Sequence, residues 1–155
     1  MLAKPLSIAL LLALFWTGTY AIDKNDLSGN WHLRIMDGKE VRKARAIIEF
    51  DLDKMRVSGF DACNRIRGKL EKISKTHYRV SMLKSTKMTC REYIHLWVSS
   101  HLHKVLKKGF IIKEGRQNQT EGIIIKSSHH ELFLKKMGED ENRLPSVSKL
   151  KKIFK

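Results

Sequence analysis

At 155 residues, with 31 Lys and Arg against 16 Asp and Glu and a formal charge of +15, the chain has length for one domain with a real core and no room for a second. The positive excess favours polyanionic surroundings. A solvated basic surface that only keeps the protein soluble would have the same composition.

The first element in the chain reads as an export signal. Lys4 gives a positive start, Leu6 to Trp16 form an apolar run, and Thr19, Tyr20 and Ala21 end it on a small residue. Residues 1–21 are therefore expected to be a cleavable secretory peptide, with the mature chain starting near Ile22. The run falls well short of the roughly twenty residues that cross a bilayer, so no transmembrane segment is expected after cleavage. No cysteine stands at the cleavage region to carry a lipid anchor. The expected location is periplasmic or secreted. Anionic headgroups and surface polysaccharides are available there and nucleic acid is not, so the expected partner is an unknown envelope protein or an anionic membrane surface.

Strands follow. Trp31, Leu33 and Ile35 alternate with His32, Arg34 and Met36, and Asp37-Gly38 offers a hairpin turn. Ala46, Ile48, Phe50 and Leu52 share one face opposite Arg45, Glu49 and Asp51, with Ile47 breaking the pattern. Further strands are expected at Met55 to Ser58, Ile66 to Glu71 and His77 to Leu83, the last with Tyr78, Val80 and Met82 facing inward. After Cys90 the period changes: Ile94, Val98, Leu102, Val105 and Leu106 form one stripe of a helix. Thr89 and Glu92 read as a capping box at its start, and Gly109 after Lys107 and Lys108 marks its end. Strands resume at Phe110 to Lys113, Gly122 to Lys126 and Leu132 to Lys136, with a polar turn at Ser127 to His130.

About eight short antiparallel strands with one helix between the fifth and sixth predict a mainly β fold, a small β-barrel, complete or incomplete, packed by that helix. Residues 22–137 would form this domain and act as a monomer. Residues 138–155 are a polar and basic tail, in which Lys149, Lys151, Lys152 and Lys155 surround Leu150, Ile153 and Phe154 and offer contacts to a membrane or another polyanion.

Cys63 and Cys90 are the only cysteines, and export would place them where disulfides persist. Pairing is the expectation, and the bridge would close a loop of about 28 residues, worth roughly 3 to 4 kcal/mol. Two buried free thiols are the alternative. A reactive cysteine needs a base and an electropositive pocket that no sequence displays.

The stretch Gly59-Phe60-Asp61-Ala62-Cys63-Asn64, then Gly68, then Ser85-Thr86-Lys87-Met88-Thr89-Cys90 directly before the helix resembles the paired signature of the META domain family, the module of HslJ-like heat-shock and envelope proteins. The resemblance runs roughly from Leu27 to Lys136. It implies a β-rich, barrel-like fold with a helix, agreeing with the strands read from periodicity, and a stress or envelope role without an agreed activity. Two positions depart from the family pattern: Ala62 stands where Gly is usual and Thr89 where Ala is usual.

Each signature residue has a structural reading. Asn64 would occupy a left-handed turn and bond its own backbone, Gly68 would let strands approach, Met88 would fill core, and the cysteines would staple. A surface binding role for Asn64, Ser85 and Thr86 is the competing reading. His95 and His103 on one helical face, His101, and His129-His130 invite a metal, but no carboxylate or cysteine stands at ligand spacing, and exposed helix and turn positions explain them. No cofactor is expected. No nucleophile elbow, metalloprotease helix, phosphate loop or catalytic carboxylate pair is present, so the chain is not expected to be an enzyme. Two functions follow: an envelope interaction module with a basic surface, or a small barrel carrying an apolar ligand, with large core residues such as Trp31, Phe50 and Met82 favouring the first.

Overall fold

The computed structural model describes residues 22–138; the expected signal peptide and the tail lysines Lys149, Lys151, Lys152 and Lys155 lie outside the described residues. The described chain opens with a one-turn helix, α1 (Lys24–Leu27), capped by Asp23, whose carboxylate accepts from the Asn25 amide. Leu27 is buried, and its carbonyl accepts from Trp31 Nε1 at 2.8 Å, which fixes α1 to the core.

Strand β1 (Gly29–Met36) turns at Asp37-Gly38, where both residues take positive φ as a type I′ turn needs, into the short β2 (Lys39–Glu40). A 3₁₀ turn at Arg42–Ala44 leads to β3 (Ile47–Asp51), and β4 (Arg56–Phe60), β5 (Arg65–Lys72) and β6 (His77–Ser85) continue the meander. Helix α2 (Tyr93–Lys108) follows, and then β7 (Phe110–Gln117), β8 (Thr120–Lys126) and β9 (Glu131–Lys136), the last of which returns to pair with β1. Every strand pairing is antiparallel. The fold is mainly β with one dominant helix, and each of the eight expected strands forms; β2 is the addition.

The β-barrel expectation needs correction. The strands do close into a ring, but it lacks the even, axial symmetry of a barrel. The strands β6 and β7 meet only at His77 opposite Ile111 and Tyr78 opposite Phe110, whereas β7 and β8 are paired from Ile111 to Gln117. The reason is the insertion of α2 between β6 and β7 in the chain, with the helix packed against β6. The ring is closed by backbone bonds at one place and by a helix beside it.

The core lies inside the ring. Ala46, Ile48, Phe50 and Leu52 are buried as alternation predicts. Two strands depart from simple alternation, each at an irregularity of pairing. In β1 the register shifts between Leu33 and Ile35 opposite β9, so Met36 rather than Ile35 is fully buried. In β6 one extra residue is accommodated opposite Gly68, and Met82, at φ 51°, points out of the core and is 73% exposed. Met82 is thus not a core residue. Gly68 itself is required there, since a Cβ would lie 2.4 Å from Val80 Cγ1 and 3.1 Å from the Ser81 carbonyl. Gly68→Ala is expected to cost about 1–3 kcal/mol through overpacking; an unchanged urea midpoint would show that the strands separate freely.

Helix α2 buries Val98, Ser99, Leu102, Val105 and Leu106, with Ile94 half-buried, and ends at Gly109 with φ 105°. Its start corrects the capping-box expectation. Glu92 occupies the cap in extended conformation without a side-chain bond, and Thr89 lies outside the helix. The cause is tertiary: the segment 86–90 is tied to Asn64, Arg65 and Cys63 through Thr86, Met88 and Cys90 and remains outside the helix.

Candidate functional site

The signature residues converge where the β4–β5 turn meets the segment leading into α2. Cys63 and Cys90 form a disulfide with their Cα atoms 5.0 Å apart. Beside it Asn64 Oδ1 accepts from the Met88 amide at 2.6 Å and from Thr86 Oγ1 at 3.1 Å. The Arg65 amide donates to Thr86 Oγ1, and the Thr86 amide donates to the Arg65 carbonyl. Ser85 Oγ donates to the Thr86 carbonyl. The expectations for Asn64 and Met88 need revision. Asn64 is not in a left-handed turn bonding its own backbone; it pins another segment. Ala62 is the left-handed residue of the turn, at φ 87°, which explains the glycine usual there. Met88 does not fill core and is 62% exposed.

Gly59 is dictated by close approach. At φ 145° a Cβ would lie 2.1 Å from the Ile47 carbonyl oxygen of the neighbouring strand.

The centre of the cluster is a residue to which the sequence assigned no role. Asp61 is fully buried at the end of β4. Its Oδ1 accepts from the Cys63 and Asn64 amides at 2.8 and 2.6 Å; its Oδ2 accepts from Ser99 Oγ at 2.9 Å and lies 2.6 Å from His103 Nε2. Burial alone pushes the carboxyl up, but the bonds from His103, the two amides and Ser99 together outweigh it and hold Asp61 below the usual carboxylate range. Ser99 was legible as a polar residue in the apolar stripe of α2. Its partner was not, lying 38 positions away.

The three side chains invite comparison with a catalytic triad, and the geometry rejects it. Ser99 and His103 bind the same carboxylate oxygen, so the histidine does not stand between serine and aspartate and no base is placed on the hydroxyl. The cluster holds structure together. Among the described residues no group of three or more His, Cys, Asp or Glu is placed to hold a metal ion. His101 Nδ1 bonds the Trp97 carbonyl and His130 Nδ1 bonds Asp37, so these histidines, with His103, are partly buried and partnered, contrary to the exposed positions expected. His95 Nδ1 is buried with no partner.

An open groove of 470 Å³ runs beside the disulfide, lined among others by Lys43, Arg45, Phe60, Met88, Arg91 and His95. No helix of the described residues is long and apolar enough to cross a membrane.

The META domain family model matches residues 24–136. A structure determined by NMR is similar at 22% identity over 70% of this chain and 89% of its own, with a TM-score of 0.57. A second NMR structure, of a protein from Burkholderia xenovorans, is similar at 18% identity over 71% and 83%, with a TM-score of 0.52. Both share the fold. No curated protein matches the chain.

Proposed function

The chain belongs to the META domain family, and from that premise we propose that it is an exported, non-enzymatic interaction module of the cell envelope, acting as a monomer in a stress-related role and using its basic surface to engage an anionic envelope partner. One observation supports this most. The polar groups of the signature are bound to one another around Asp61, Asn64 and the disulfide, while exposed cations of the strands such as Arg65, Arg67 and Lys84 have no acidic partner among the described residues. The unused chemistry of the domain is thus positive charge rather than a reactive side chain. A disulfide fits export, because such bonds persist in oxidising compartments. A carrier of an apolar ligand has less support, since the ring interior holds packed side chains from Leu33, Ile48, Phe50, Leu70, Phe110 and Ile125.

The tail adds cations to the same task. Protein from residue 22 onward, which contains every described element, should bind anionic vesicles in a salt-dependent way. Deleting residues 146–155 removes four lysines and should weaken that binding by at least roughly tenfold at low salt, with a shallower salt dependence. Equal binding by both forms at every ionic strength, measured by vesicle sedimentation, would reject the tail's part.

A further inference from the structure

The outward face of β4, β5 and β6 carries an arrangement that folding does not explain. Along β5, Ile66 and Leu70 turn inward while Arg65, Arg67 and Lys69 are exposed on the other side, about 7 Å from one to the next. Their cross-strand partners repeat the charge: Arg67 stands opposite Lys84 of β6, and Lys69 opposite Arg56 of β4. Directly opposed side chains lie about 5 Å apart, and like charges in that position are destabilising. Among the described residues, Arg65, Arg67 and Lys84 make no ion pair. The acids of this face sit at its margins and are engaged: Glu49 accepts from Ser58, Asp51 faces Lys54 and Arg56, and Glu71 pairs with Arg79.

Within the patch is Met82. The β6 bulge holds it outward in a left-handed conformation, exposed on the strand between Ser81, which stands opposite Lys69, and Lys84, which stands opposite Arg67, rather than buried as alternation would have it. A bulge that re-aims one side chain is a feature with a use. An exposed apolar side chain on a sheet face that also carries cations suits a surface whose outer layer is anionic and whose next layer is apolar. A polysaccharide or acidic protein would satisfy the cations and leave the methionine without a purpose.

We propose that this face docks on an anionic phospholipid membrane, with Arg65, Arg67, Lys69 and Lys84 meeting headgroups and Met82 entering the acyl boundary. The inference rests on the reading of the protein as an envelope module and adds the face and the partner's chemistry.

The test is co-sedimentation of the chain from residue 22 onward with vesicles of phosphatidylglycerol in phosphatidylcholine, against phosphatidylcholine alone. The parent should bind only the anionic vesicles. Arg67→Ser with Lys84→Ser should bind roughly thirtyfold more weakly. Met82→Ser should bind roughly five- to tenfold more weakly with an unchanged salt dependence, because no charge is removed. Arg56→Ser with Lys69→Ser provides a second pair on the same face, and thermal unfolding of each variant confirms folding. Should both charge pairs bind as the parent does while the tail deletion abolishes binding, the face assignment is overturned and the envelope reading stands. Should the parent ignore anionic vesicles but bind a soluble anionic polysaccharide through Arg67 and Lys84, the lipid assignment is overturned. Binding to neither overturns both readings.

Discussion

Replacing Asp61 by Ala is expected to destabilise the protein by about 3–5 kcal/mol, as the loss of one partner from a buried charged cluster does elsewhere. The size follows from what is left behind. The Cys63 and Asn64 amides, the Ser99 hydroxyl and the His103 ring all lose the same acceptor at once, and Asp61 is fully buried, so water does not replace it. Asp61→Asn should be milder, because an amide oxygen still serves the two backbone donors. Urea unfolding at neutral pH measures both. A loss below about 1 kcal/mol for the alanine variant would mean that the donors find other partners, and the cluster would no longer explain how the β4–β5 turn is held to α2.

The same residue gives the fold an acid-sensitive component. The hydrogen bonds hold the folded Asp61 carboxyl below its ordinary value, so the folded state binds a proton less readily than the unfolded chain. Its contribution is complete above the unfolded value of about 3.9 and is lost as the pH falls through the lower folded value. Stability of the parent should therefore decline through that acid window, and the Asp61→Asn variant should decline less steeply across it.

How much of this was legible depended on how local the cause was. The alternation of Ala46, Ile48, Phe50 and Leu52, the Asp37-Gly38 turn, and the helical stripe from Val98 to Leu106 are short-range patterns, and each appears where periodicity placed it. The misses sit where a distant segment intervenes. The shift opposite β9 sends Met36 inward, the bulge opposite Gly68 sends Met82 outward, and the contacts of residues 86–88 with Asn64 and Arg65 override the Thr89 capping box. At the site, the cysteines and glycines could be read from residue type and the resemblance, because a bridge and a missing side chain have few uses. Asp61 could not. A carboxylate gains a role only from its donors, and His103 and Ser99 lie about forty positions away on an element whose docking the sequence does not state.

The disulfide should contribute on a similar scale. Cys63 and Cys90 are 27 positions apart, and between them run β5 and β6, so cutting the bridge releases a loop that holds two strands of the ring. The chain-entropy model values that closure at about 3.5 kcal/mol, and Cys63→Ser with Cys90→Ser should lower the free energy of unfolding by that order. Asn64 ties the same two segments independently, through the Met88 amide and Thr86 hydroxyl. Removing either the bridge or Asn64 therefore leaves the other holding the turn, and removing both should cost more than the separate losses added together. A double-mutant cycle with Asn64→Ala measures this coupling. If the oxidised, reduced and serine forms share one urea midpoint, the bridge only decorates a junction that Asp61 and Asn64 already secure, and its place in the signature must come from something other than stability.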